Sequence, residues 1–186
     1  MQWFGLKINI VILTFILGLA VLLGGNFLYD KYGSNQSLRQ DLSENEYVES
    51  FKLEDQGAFV LVTVRMKPSD NFMKVYQALE RDIEIGLNGR PHQLVIEDTR
   101  DRTLSDVLYK SQYSIHQAIA QGSFPEMARV IEENARGADA VARVFVDNKY
   151  VYVQLEGRNG SYLLEVIPRG TVNSDNKGLN GGGLYA

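Results

Sequence analysis

Two histidines, His92 and His116, are the side chains of this 186-residue chain whose ordinary titration falls near neutrality. His116 lies in a helical pattern running from Leu104 to Gln121, one position past the apolar Ile115. A nucleophilic arrangement would pair Ser111 or Ser114 with His116 and let Asp106 orient the ring. Residues two apart on a helix point away from each other, so Ser114 does not face His116, and Ser111 is little better placed. His116 therefore reads as a boundary histidine with one solvated nitrogen. His92, directly behind Pro91, stands at the mouth of a predicted strand.

Metal and covalent chemistry fare no better. The chain has no cysteine, which removes thiolate nucleophiles, disulfides and Cys-ligated zinc, and two isolated histidines do not make a zinc set. Asp98-Thr99-Arg100-Asp101 interleaves an arginine with would-be calcium ligands and reads as a solvated charged loop. No glycine-rich phosphate loop, dinucleotide fingerprint or nucleophile elbow is present. The carboxylate pairs Glu54/Asp55, Asp82/Glu84 and Glu132/Glu133 fall in a turn or on helix faces. A wall-polymer hydrolase would need two carboxylates set across a cleft. The sequence thus predicts no catalytic residue, no metal ligand and no cofactor.

The tyrosines are more suggestive. Tyr109 and Tyr113 stand four apart on a helix, while Tyr150, Tyr152 and Tyr162 decorate a run of strands. Tyr150 and Tyr152 share a strand face with Gln154, opposite Val151, Val153 and Leu155. If the valine face is core, the tyrosine face is turned toward solvent or a partner. Tyrosine is enriched at such contact surfaces, so Tyr150, Tyr152 and Tyr162 form the expected partner contact.

The elements that must carry these residues follow from periodicity. Val48–Leu53 and Ala58–Met66 read as a hairpin turning at Glu54–Gly57. The second run is apolar on both phases until Thr63, as an inner strand would be. Ser69 or Asp70 opens a helix whose stripe is Phe72, Val75, Tyr76, Leu79 and Ile83, and Asn88-Gly89 ends it. Gln93–Glu97 is a third strand. Thr103 with Asp106 resembles a capping box before the stripe Leu104, Val107/Leu108, Ser111, Ile115 and Ile119. Ser123-Phe124-Pro125-Glu126 restarts the chain as another helix, closed by Gly137. Val141–Val146, Tyr150–Leu155 and Tyr162–Ile167, joined by short polar turns, form a meander. The order ββαβααβββ predicts an α+β domain over residues 46–169, with one mostly antiparallel sheet and helices packed on one face.

Ahead of that domain, Ile8–Tyr29 is a run of 22 residues without a charge, bounded by Lys7 and Asp30. At about 1.5 Å per residue it reaches about 33 Å, enough for a hydrocarbon core of about 30 Å. It exceeds the length of a cleavable signal core and predicts a retained anchor in the lipid bilayer. Residues 1–7 are expected on the cytoplasmic side and the domain outside, because long C-terminal domains translocate largely regardless of charge. Thr14, Gly18, Ala20 and Gly24 have the small-residue spacing that lets membrane helices approach closely. Residues 30–45 read as a flexible stalk, and residues 170–186 as a Gly/Asn-rich tail without order.

Lys7 is the only charge in the first 29 residues, so 18 basic and 23 acidic side chains fall to the rest. That balance shows no basic footprint for nucleic acid. These readings converge on a single-pass, membrane-anchored, extracytoplasmic binding or assembly module of a cell envelope, without catalysis. Its expected partner is another envelope protein or a copy of itself. The alternative is an envelope domain that senses or carries a small ligand in a pocket between sheet and helices.

Overall fold

The computed structural model describes residues 34–170, together with Phe15 and residues 17–19, which are helical. The anchor expected over residues 8–29 otherwise lies outside the described residues, as do Thr14, Ala20 and Gly24, residues 30–33 and the tail beyond Gly170. Among the described residues no helix is long and apolar enough to cross a membrane.

The chain is α+β, with the elements α1 (Ser34–Glu44), β1 (Val48–Asp55), β2 (Val60–Met66), α2 (Phe72–Gly86), β3 (His92–Glu97), α3 (Arg102–Gln121), α4 (Phe124–Gly137), β4 (Ala140–Val146), β5 (Tyr150–Gly157) and β6 (Tyr162–Pro168). From β1 onward the order matches the periodicity. The stalk does not: residues 34–44 form helix α1, which buries Leu38 and Leu42 completely or nearly so. Two leucines four apart give a helix in a polar sequence one face to dock with.

One sheet was expected and two are found. The first has the order β1-β2-β3 and the second β4-β5-β6. β2 is antiparallel to β1 but parallel to β3, because helix α2 carries the chain back between them. The second sheet is an antiparallel meander throughout.

Helix boundaries show which local chemistry won. Asn71, not Ser69 or Asp70, caps α2 by accepting the Lys74 N–H at 3.0 Å. At the far end Asn88 and Gly89 take positive φ of 54° and 72°, and the Gly89 N–H donates to the Glu84 carbonyl, as the sequence predicts. Asp101, two residues before the expected Thr103, caps α3 by accepting the Leu104 N–H at 2.9 Å. Its carboxyl sits below the usual carboxylate range, held there first by that backbone bond and then by Asn159 and Ser161.

The core has two parts on opposite faces of the second sheet. On one face, Val151, Val153, Leu155 and Leu163 pack against Leu104, Val107 and Ile115 of α3 and Met127, Ile131 and Ala135 of α4. On the other, Tyr152, Tyr162 and Leu164 join Val62, Val64 and Met66 of β2, Phe72, Tyr76 and Ile83 of α2, and Leu38 and Leu42 of α1. The helices are therefore not confined to one face. β5, the middle strand, is buried from Val151 to Leu155 on both phases. Gln154, fully buried, bridges the layers: its Nε2 donates to the Ser69 carbonyl at 2.8 Å and its Oε1 accepts the Ser69 N–H at 3.3 Å.

Candidate functional site

Two-sided burial of β5 decides the fate of the expected contact surface. Tyr152 has no exposed surface, Tyr162 is buried and Tyr150 is half-buried. The Tyr152 ring meets Phe72, Tyr76 and Tyr150 edge to face at 6.0, 5.6 and 5.9 Å between centroids. These tyrosines form an internal aromatic cluster, and the expectation of an outward tyrosine face is corrected. The inference failed because it assumed that only the valine face was covered. The signal that could have corrected it is YVYVQLE, apolar on both phases like β2. Among the described residues from α1 onward, the exposed aromatics are instead Tyr109 and Tyr113 on α3.

The serines beside His116 and the Glu54/Asp55 pair are engaged in the fold. Ser111 is buried, donates to the Val107 carbonyl at 2.8 Å and accepts from Asn134 Nδ2 at 3.0 Å. Ser114 donates to the Ser111 carbonyl, and His116 is exposed on the far side of α3. Asp55 pairs with Arg90 and Glu54 with Lys52. Among the described residues no group of His, Cys, Asp and Glu could hold a metal ion. Of the small-residue positions in the apolar run, Gly18 alone is described; it is helical, with open space where a Cβ would be.

A site that periodicity did not single out lies between the two sheets, where β3 and β6 face each other across a cleft of about 350 Å³. Its walls are Val95, Ile96, Glu97, Arg65, Asp98 and Arg100 on one side and Leu164, Glu165 and Val166 on the other. The loop 98–100 folds its side chains along the β6 edge. Asp98 accepts the Leu164 N–H at 2.8 Å, Thr99 accepts the Tyr162 N–H at 3.2 Å, and Arg100 reaches the Leu164 carbonyl at 3.5 Å. Three side chains thus stand where a neighbouring strand would. By the strand's alternation, Val166 also turns its N–H and C=O to this side, beyond the reach of that loop.

The cleft is charge-paired. Arg100 contacts Asp98 at 2.7 Å and Glu165 at 3.0 Å, and Arg65 meets Glu97 at 3.1 Å across β2 and β3. Burial raises the Glu165 carboxyl above its usual range, and Arg100 only partly offsets that. Two carboxylates held by one guanidinium, beside apolar Val95 and Ile96, suit a neutral or zwitterionic polar group better than a lone ion. The sequence showed EDTRDR only as a charged loop, because the residues it serves, Tyr162 and Leu164, are about sixty positions away.

The chain matches no protein-family model, no curated protein and no solved structure.

Proposed function

We propose that the chain is a single-pass membrane-anchored module whose domain lies outside the membrane of a cell envelope and works by binding or assembly, without catalysis. The observation that carries this is the closeness of anchor and fold. The uncharged run ends at Tyr29, and α1, which begins at Ser34, is docked on the domain through Leu38 and Leu42. The few residues between span at most about 17 Å when extended. A domain tied so closely works on what lies at the membrane surface. Phe15, Leu17 and Leu19, helical and 69%, 65% and 48% exposed, have the apolar outward surface that lipid would cover. The engagement of Ser111, Ser114 and Asp55 within the fold supports a binding role over a chemical one.

Fractionation with protease accessibility tests the reading. The full-length chain stays in the membrane pellet after an alkaline wash, and its domain is cleaved by protease added outside intact cells. A chain released by the wash, or a domain shielded until lysis, contradicts it.

The β3/β6 cleft favours a second reading, an envelope domain that senses or carries a small polar ligand. A ligand of that cleft raises the melting temperature by mass action, and Arg100→Gln removes the rise.

A further inference from the structure

Unpaired strand edges invite other strands, and proteins blunt them with charges, bulges, proline or covering segments. β1 is interrupted by an irregularity between Val48 and Ser50 and carries Glu49, Lys52, Glu54 and Asp55. β6 is covered by the side chains of Asp98, Thr99 and Arg100. Among the described residues β4 has none of these devices. Its sequence is AVARVFV, its register against β5 runs unbroken from Ala140↔Gly157 to Val146↔Val151, and its one charge, Arg143, is engaged by Glu156 of β5.

The turn fixes which backbone groups of β4 are spare. The Asp147 N–H donates to the Tyr150 carbonyl at 3.0 Å, making 147/150 a hydrogen-bonded pair. Alternation then makes 145/152, 143/154 and 141/156 bonded pairs as well. Ala142, Val144 and Val146 consequently direct N–H and C=O away from β5, and no hydrogen bond to these groups is found among the described residues. Beside them Val141 is 59% exposed.

We propose that β4 pairs antiparallel with β4 of a second copy of this chain, joining two three-stranded sheets into one of six strands. The row fits itself. Centred on Arg143, two guanidiniums would stand opposite each other. Centred on Val144, Ala142 opposes Val146 of the copy and Arg143 opposes its Phe145, a cation beside a ring with no like charges facing. Helix α4, which covers β4, is brought alongside its own copy. The bond from Asn134 to Ser111 shows which side of α4 faces α3. Helical spacing puts Glu132 and Arg136 on the opposite side, where both are exposed and, among the described residues, in no ion pair. Pairing through β4 names partner and surface for the assembly reading and rests on it only in taking contact as the domain's work; where the anchor sits does not enter.

The chain lacks cysteine, so a single introduced thiol reports on its own surroundings. In the full-length chain, Val144→Cys places a thiol at the two-fold centre, and mild oxidation links most of the protein as a dimer. Val141→Cys is more exposed, yet it lies about 20 Å from its counterpart, too far to bridge, and stays unlinked. Ala142→Pro removes an N–H that no bond among the described residues uses, and combined with Val144→Cys it reduces linking several-fold. Hydrogen exchange of the unsubstituted chain gives a readout without variants: the Ala142, Val144 and Val146 amides are protected at high protein concentration and lose protection on dilution. A Val144→Cys chain that stays unlinked, a Val141→Cys chain that links as well, or fast exchange of the Ala142, Val144 and Val146 amides at every concentration overturns the proposal. The membrane fractionation is unaffected by any of these results, so the two readings fail separately.

Discussion

The Tyr152 hydroxyl donates a 2.7 Å hydrogen bond to the Asp147 carboxylate, tying the centre of the aromatic cluster to the turn between β4 and β5. The same carboxylate accepts the N–H groups of Lys149 and Tyr150 at 2.7 Å each and the Gln77 amide of α2 at 2.7 Å. Partial burial alone would raise the Asp147 carboxyl, but these donors outweigh it and hold it below its usual value. Burial and the neighbouring carboxylate together push the Tyr152 hydroxyl well above the ordinary tyrosine range, so it remains a donor at every relevant pH.

Asp147→Ala leaves the Tyr152 hydroxyl without its partner and costs about 1–3 kcal/mol in denaturant unfolding. The pH dependence has a definite sign. The carboxyl is more acidic in the folded chain than in the unfolded one, so its contribution is complete above about pH 4 and fades as pH falls through the lowered folded value. The gap in stability between the native chain and Asp147→Ala therefore narrows in acid. A gap that is constant from pH 7 to pH 3 contradicts the assignment.

Tyr152→Phe keeps the ring and loses about 1 kcal/mol, while Tyr152→Ser empties the cluster and loses about 3–5 kcal/mol. Thermal unfolding by circular dichroism separates them. A folded, fully stable Tyr152→Ser chain would place the ring outside the core after all.

Leu38→Ala and Leu42→Ala each cost about 2–5 kcal/mol if α1 is part of the fold. Gly86→Ala attacks the same contact from α2, since a Cβ there would lie 2.8 Å from the Leu38 Cβ. Because the clash is with an atom fixed to the backbone, α1 must shift, at about 1–3 kcal/mol. Hydrogen exchange would show α1 losing protection before α3 or α4. Equal protection of α1 in Gly86→Ala and the native chain would exclude the packing described.

Arg100→Gln leaves Asp98 almost fully buried, with its side chain 3% exposed, and removes the guanidinium shared with Glu165; it costs about 3 kcal/mol near neutrality. Burial already raises the folded Glu165 carboxyl above its unfolded value, so the fold holds its proton more tightly, and stability falls as pH rises from the unfolded value through the folded one. Without Arg100 that value rises further. The variant should thus be closer to native stability at pH 5 than at pH 7, and the reverse order in urea melts would contradict it.

Legibility in the sequence followed the range of the interactions. The stripe Phe72, Tyr76, Leu79 and Ile83, the left-handed close at Asn88-Gly89 and the short turns of the meander are set within a few residues, and all were readable. Caps were readable to within a turn: Asp101 displaced Thr103 because Asn159 and Ser161, from the β5–β6 turn, hold its carboxylate in place. Residues 34–44 read as a stalk because two leucines are a weak signal until α2 offers Leu38 the space left by Gly86.

By itself the sequence determined the element order from β1 onward, the α+β class and the uncharged apolar run, because hydrophobic spacing and turn chemistry act locally. Only the tertiary structure decided that the strands divide into two sheets and that β5 is covered on both faces. It alone turned Tyr152 inward, set Asp98 and Arg100 along the β6 edge and, among the described residues, left the outer edge of β4 unpaired. The physical reason is that burial and edge pairing belong to surfaces formed by residues far apart in the chain. A strand cannot encode alone how many of its faces will be covered.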